Sequence, residues 1–133
     1  MHMIAVDLWK GNPPSDVEGS ETYGDRDHEQ YYAQFSEVAE KYFPGRIHIR
    51  RMTTLNAARM VVDGSLDFVF IDADHTEAGC GADIDAWYPK IRRGGLISGH
   101  DYNWPSVRRA VEARFGSEVE VFESDNVWWK FIP

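Results

Sequence analysis

The sequence predicts an α/β fold, with a mostly parallel sheet, helices on both faces and a C-terminal antiparallel hairpin. Short apolar runs alternate with stretches of helical spacing along the chain, in the order β-α-β-α-β-α-β-α-β-β. The stretch LDFVFIDAD, residues 66–74, has apolar side chains on both faces, which is typical of a central parallel strand. The last two predicted strands are joined by Asp125-Asn126, a hairpin-type turn.

The first half of the chain contains three predicted strands and two predicted helices. They are the strand MIAVDLW (3–9), the helix HEQYYAQFSEVAEKYF (28–43), the strand RIHIRRM (46–52), the helix TTLNAARMVVDG (53–64) and the strand at 66–74. Asp27 is expected to cap the first helix, and Thr53 or Thr54 the second, which Gly64 ends. A long polar loop, residues 11–27, precedes the first helix; such loops are usually functional or mobile.

The second half continues the alternation. TEAGCGADIDAWYPKI (76–91) is expected to be helical in its second half, and GGLISGHD (94–101) is the next strand. PSVRRAVEARFG (105–116) predicts a helix, because proline suits the first turn and glycine lies at its end. EVEVFES (118–124) and NVWWKFI (126–132) are the two strands of the hairpin.

Composition limits the class of protein. The chain has 133 residues, 43% of them hydrophobic and 14% aromatic, which suits one domain with a hydrophobic core. Its net charge of -8 argues against a sequence-independent nucleic-acid binder. Cys80 is the single cysteine, expected as a small core residue, so no disulfide forms within the chain. With no apolar run long enough for a membrane span and no signal peptide, we expect a cytoplasmic protein without membrane association.

Charged and polar residues gather where the predicted strands end. Ligands of parallel α/β sheets bind beyond the carboxyl ends of the strands. The residues at these ends are Asp7, Met52, Thr53, Thr54, Asp72, Asp74, His75, His100, Asp101, Tyr102 and Asn103. Carboxylates at one edge repel each other unless a positive group lies among them. The sequence therefore predicts a shared functional site at this edge.

A divalent cation is a physically sensible partner for these carboxylates. Oxygen ligands from Asp72 and Asp101 suit Mg²⁺, and the nearby histidines also allow Mn²⁺, Fe²⁺ or Zn²⁺. His75 is expected either as a third ligand or as a general base, because imidazole titrates near neutrality. Asp74 has a simpler interpretation as the cap of the following helix. Asp7 either accepts hydrogen bonds from a nucleotide ribose or anchors the loop that follows it.

The motifs VDLWKG, DFVFIDADH, DIDAW and PKIRRGGLISGHDY, with the VRRAVEARFG helix, resemble class I S-adenosylmethionine-dependent methyltransferases. The nearest resemblance is to methyltransferase family 24, near the catechol and caffeoyl-CoA O-methyltransferases. It covers nearly the whole chain, and its most specific part is the separation between the DFVFIDADH and GGLISGHD strands. The resemblance implies a Rossmann-like fold, the cofactor S-adenosylmethionine and Mg²⁺ or another divalent cation.

The resemblance also implies roles for individual positions. Asp7 matches the acid that holds the cofactor ribose, and Met52 and Thr53 match the region near the adenine. Asp72 and Asp101 match the two metal-binding aspartates, and Asp72 also borders the cofactor. The family often has asparagine directly after the second aspartate; this chain has Tyr102 there, so Asn103 or His100 is the candidate third ligand. His75 occupies the position of the family's catalytic lysine, and His100 is a second catalytic candidate.

One departure from the family concerns the start of the chain. The family's glycine-rich loop follows its first strand and precedes the position of Asp7 by about twenty residues, whereas only six residues precede Asp7 here. The resemblance thus implies a single, truncated methyltransferase-like domain over residues 1–133, without the first family strand. Its absence is expected to leave a gap in the sheet or to force the neighbouring strands to pair. Exposed strand edges also predict a homodimer.

Three functions are compatible with the sequence. The first is methyl transfer from S-adenosylmethionine to an oxygen of a small molecule or sugar. The second is a non-catalytic or fragmentary methyltransferase-fold module that no longer binds the cofactor, favoured by the absent glycine-rich loop. The third is a nucleotide-sugar glycosyltransferase, because Asp72-Ala73-Asp74 is a DxD motif after an apolar strand. That motif is short and frequent by chance, and the upstream sequence is too small for a nucleotide-binding half.

Overall fold

The computed structural model describes residues 1–11, 17–19 and 27–133, and the predicted order of elements is confirmed there. The six strands and four α-helices of this part are β1 (Met3–Asp7), α1 (His28–Tyr42), β2 (Ile47–Arg51), α2 (Thr54–Ala58), β3 (Leu66–Ile71), α3 (Glu77–Trp87), β4 (Ile91–Gly99), α4 (Pro105–Phe115), β5 (Glu120–Phe122) and β6 (Val127–Phe131). Much of the predicted loop at 11–27 lies outside the described residues.

The strands form two sheets. In the first, β1 and β2 are parallel; in the second, the order is β3-β4-β6-β5. The pair β3–β4 is parallel, and β6 is antiparallel to both β4 and β5. The predicted α/β class and its C-terminal antiparallel hairpin are thereby confirmed. Among the described residues β1 and β3 do not pair, so the two sheets are separate.

Helices α3 and α4 pack together against one face of the four-stranded sheet. The buried residues of this core come from both the helices and the strands: Val69, Ile71, Cys80, Ile84, Ile97, Val107, Ala110, Val111 and Trp128. Gly99 lies where β4 passes Trp128, and a Cβ there would come within 2.6 Å of the indole ring. Close packing of the tryptophan therefore requires glycine at this position.

The opposite face of the same sheet carries exposed aromatic side chains. Phe68 and Phe131 lie in register with Leu96 between them, and they are 52% and 59% exposed. Phe70 and Phe122 are also largely exposed. In the described part of the chain, helices α3 and α4 thus cover only the other face of this four-stranded sheet.

Local sequence signals account for most helix boundaries. Asp27 caps α1 as predicted, accepting a hydrogen bond from the Gln30 amide at 2.9 Å. Thr53 is the cap of α2, but that helix ends at Ala58, well before the predicted Gly64. By contrast α3 is helical from Glu77 onward, earlier than predicted. None of the described helices is both long and apolar enough to cross a membrane.

Candidate active site

The ends of β1, β2 and β3 surround a cavity of about 610 Å³. Strands β1 and β2 run in the same direction, and so do β3 and β4. The residues that follow the strands of each pair therefore lie at the same edge of their sheet. The predicted residues Asp7, Met52, Thr53, Asp72 and His75 all line this cavity. The structure therefore brings together the proposed cofactor-binding residues and one of the two predicted catalytic histidines.

Asp72, His75 and Asp101 form a compact cluster of potential ligands. The register of β3 and β4 places Ile71 opposite Gly99, so the residues that follow the two strands meet. His75 Nε2 lies 3.3 Å from Asp72 Oδ1 and 3.0 Å from Asp101 Oδ2. One ligand atom from each of the three residues lies within 4.8 Å of the others. Two carboxylates and an imidazole in this arrangement fit a divalent cation of the Mg²⁺ or Mn²⁺ type.

Asp101 has an unusual backbone conformation for a residue other than glycine. Its φ is +56°, in the left-handed region, where aspartate and asparagine are tolerated better than most residues. The turn continues with a hydrogen bond from the Trp104 amide to the Asp101 carbonyl at 2.9 Å. This conformation directs the carboxylate toward the histidines, and such strain is characteristic of functional sites.

The other two predicted residues on this side lie differently. His100 Nδ1 is 3.3 Å from Asp101 Oδ1, and the side chain is 39% exposed, so His100 borders the cluster. Asn103 instead lines a second cavity of about 430 Å³, together with Tyr102 and Glu112. The Tyr102 hydroxyl donates a hydrogen bond to Glu112 Oε1 at 3.0 Å, so the polar end of this side chain has a partner. The geometry gives the predicted ligand role of Asn103 no support.

Asp7 is the last residue of β1 and is exposed to the cavity. Its Oδ1 accepts a hydrogen bond from the Trp9 amide at 2.6 Å, which fixes a turn in which Trp9 has a φ of +48°. The Trp9 ring packs against Tyr32 and Phe35, with centroids 5.1 and 5.8 Å away. Asp7 thus anchors its loop, which is one of the two roles predicted for it.

The turn between β3 and α3 corrects one prediction. Thr76, not Asp74, is the N-cap of α3, and its hydroxyl accepts from the Gly79 amide at 3.0 Å. Asp74 Oδ1 accepts from the Thr76 amide at 2.8 Å, one step earlier in the turn. A Cβ on Gly79 would approach the Asp74 carboxyl to 2.2 Å, so glycine allows the turn to close against the helix. The prediction of a cap was right for the segment and wrong for the residue.

Asp83, on α3, is a cavity residue that the sequence did not single out. It is 2% exposed, and desolvation raises its pKa to about 7, against a hydrogen bond with Thr54 that lowers it. The Thr54 hydroxyl in turn accepts from Trp87 Nε1 at 2.6 Å. A possible signal was the apolar surroundings of Asp83 in GADIDAW, since a carboxylate on the buried face of a helix is unusual.

The buried thiol of Cys80 lies on the same helix. Burial raises the pKa of Cys80 to about 12, so the thiol is protonated at neutral pH. Because the thiolate is the nucleophilic form, this agrees with its predicted role as a small core residue.

The raised pKa of Asp83 predicts a pH-dependent stability. In the folded protein the Asp83 carboxyl stays protonated up to about pH 7. In the unfolded chain it loses its proton near the ordinary aspartate pKa of about 3.9. The free energy of unfolding should therefore fall as pH rises between these two values, by up to about 4 kcal/mol. Chemical denaturation of wild-type and Asp83→Asn across this range measures it. Equal pH slopes for the two proteins would contradict the prediction.

Comparison with known protein families identifies the class to which this fold and site belong. A family model described as a methyltransferase domain matches residues 1–102, more than half of the chain. The chain belongs to this methyltransferase domain family, as its motifs predicted. A search of curated proteins gave no match.

Solved structures of methyltransferases share the fold. The O-methyltransferase NovP is 17% identical with a TM-score of 0.68, and the calicheamicin methyltransferase CalS11 is 12% identical with a TM-score of 0.66; each alignment covers 98% of this chain and 60% of the other. The mycinamycin-pathway methyltransferase MycE, in complex with Mg and SAH, is 14% identical with a TM-score of 0.51, covering 98% of this chain and 44% of that one. The chain thus spans about three fifths or less of these structures' length.

Proposed function

We propose that this chain carries the catalytic site of an S-adenosylmethionine-dependent methyltransferase that methylates a hydroxyl oxygen of a small molecule or sugar, assisted by a divalent cation. The observation that supports it most is the convergence of Asp72, His75 and Asp101 beside the cavity that Asp7 also lines. The cavity would hold the cofactor, and the cluster would hold the acceptor. Solved structures of related fold include O-methyltransferases, and one of them holds both Mg and SAH.

The cofactor's residues are assigned along the strand ends. S-adenosylmethionine, when bound, supplies an electrophilic methyl group. Asp7 would accept hydrogen bonds from the ribose hydroxyls through the carboxylate oxygen that does not bind Trp9, while Met52 and Thr53 border the nucleoside. Asp72 borders both the cavity and the cluster, so it connects cofactor binding to the acceptor site.

The cluster's residues are assigned to the acceptor. Asp72 and Asp101 would hold the cation, which supplies a positive charge that lowers the pKa of an acceptor hydroxyl. His75 would remove the hydroxyl proton, because its Nε2 lies within 3.3 Å of both carboxylates and therefore beside an acceptor bound to the cation. His100, beside Asp101, would orient that carboxylate. Holding the nucleophile in line with the methyl group supplies much of the catalysis.

A methyl-transfer assay tests this function. We expect the purified protein to transfer labelled methyl from S-adenosylmethionine to at least one member of a panel of phenols, catechols and nucleotide-linked sugars, with Mg²⁺ or Mn²⁺ present. Chelation should lower the rate, and re-addition of the cation should restore it. Transfer that chelation leaves unchanged would contradict the metal role, and no transfer to any acceptor would count against the enzyme.

A non-catalytic module is the second candidate, and the absence of pairing between β1 and β3 among the described residues favours it. The residues that line the cavity come from both sheets, which share no strand pairing in the described part of the chain. Such a module would keep the fold and lose cofactor affinity. Binding of the cofactor product therefore separates the two candidates more directly than turnover does.

A further inference from the structure

We propose that Asp83, together with Thr54, forms a subsite that recognises the exocyclic amine of the cofactor's adenine. This inference rests on the proposed function, since it assumes a nucleoside in the cavity. It concerns a residue outside the strand-end motifs and gives it a role in ligand specificity.

The first observation is an unpaired oxygen inside the cavity wall. Asp83 lines the cavity, yet the side chain is 2% exposed. Asp83 Oδ2 is buried and has no hydrogen-bond partner among the described residues. Leaving such a group unpaired costs about 1–3 kcal/mol, so buried polar atoms normally have partners. A ligand with an N–H group at this end of the cavity would supply one.

The second observation is the position of Asp83 relative to the reacting groups. Its contact residue Thr54 begins α2, directly after β2, whereas the cluster stands at the ends of β3 and β4. The cluster and Thr54 are therefore on opposite sides of the gap between the two sheets. With the methyl group directed at the cluster, the nucleoside base would extend toward Thr54 and Asp83.

The third observation is the hydrogen-bonding capacity that remains on the Asp83 carboxyl beside its neighbours. The Thr54 hydroxyl accepts from Trp87 Nε1, so its own proton is available for the carboxyl of Asp83. That contact occupies one carboxyl oxygen and leaves Oδ2 to the ligand. An ionised carboxylate accepts a hydrogen bond from an amine and repels a carbonyl oxygen. Hypoxanthine differs from adenine by this exchange and by the proton that it carries on the neighbouring N1.

The test compares S-adenosylhomocysteine with S-inosylhomocysteine, in which a carbonyl replaces the amine. Calorimetric titrations would be run at about pH 8.5. This pH is above the Asp83 pKa of about 7, so the carboxyl is ionised. We expect the wild-type protein to prefer the adenosyl compound by about 10- to 100-fold, the range for a hydrogen bond to a charged group. In Asp83→Asn the preference should fall to about threefold or less, because an amide can rotate to accept or donate.

Asp85→Asn is the matched control, since Asp85 lies two residues along α3 and is paired with Arg114 on the exposed surface. That variant should keep the wild-type preference. Equal binding of the two compounds by wild-type protein, or an unchanged preference in Asp83→Asn, would overturn this inference alone. Failure of the wild-type protein to bind S-adenosylhomocysteine would overturn the proposed function as well.

Discussion

The Asp101→Asn variant is expected to bind Mn²⁺ or Mg²⁺ at least about 10- to 100-fold more weakly than the wild-type protein. That range is typical when even an outer-shell partner of a metal ligand is lost. Asparagine retains the size of the side chain and tolerates the left-handed φ of +56°, so the turn should be preserved. The change therefore removes the carboxylate charge and little else. Titration of Mn²⁺ followed by electron paramagnetic resonance measures the affinity.

Asp67→Asn provides the control for charge. Asp67 is an exposed carboxylate in β3, hydrogen-bonded to Arg92 Nε at 2.7 Å and absent from the cluster. Its loss changes the net charge by the same amount, so affinity for the cation should remain within about twofold, as expected for screened surface charge. Equal affinities in Asp101→Asn and wild-type protein would show that the cluster is not the metal site.

The His75→Gln variant is expected to lower the rate of methyl transfer by about 10²- to 10⁴-fold, the usual contribution of a general base. Glutamine cannot take the proton of the acceptor hydroxyl, but it retains hydrogen-bonding groups near Asp72 and Asp101. Rates at saturating substrate, measured from about pH 6 to pH 9, should lose the ascending limb that depends on the imidazole.

Metal affinity separates the two roles that remain open for His75. As a base, His75 can be replaced with little loss of cation binding. If His75→Gln weakens cation binding as much as Asp101→Asn does, His75 is the third ligand. Another group would then accept the proton of the acceptor hydroxyl, and His100 is the nearest candidate. His100→Gln, tested beside it, should alter the rate less than His75→Gln does, because His100 only borders the cluster.

The order of elements was predictable because local signals agree with the final packing. Asp27 and Thr53 accept hydrogen bonds as caps, and Pro105 starts α4, so α1, α2 and α4 begin where short-range chemistry places them. The early end of α2 was not predictable, since residues 59–62 continue a helical composition. Met60 and Val62 are exposed there, so no tertiary packing stabilises additional helical turns.

The site was predictable where it follows from strand direction. Asp72 and His75 meet Asp101 because parallel neighbours end at the same edge, a consequence of topology alone. Asn103 could not be placed, because the turn at Asp101 directs it to another cavity. Asp83 was missed because the apolar neighbours in GADIDAW do not by themselves reveal its burial, which depends on the packing of α3 on α2.

Binding of S-adenosylhomocysteine tests the central claim most directly, because it requires the cavity and no acceptor. Isothermal titration of the wild-type protein should show one site, with affinity reduced about 10-fold or more in Asp7→Asn, the cost of losing a hydrogen bond to a charged group. Asp63→Asn, which removes an exposed carboxylate paired with Lys90, should bind like the wild-type protein. Absence of binding by the folded wild-type chain would contradict the account and leave the non-catalytic module in its place.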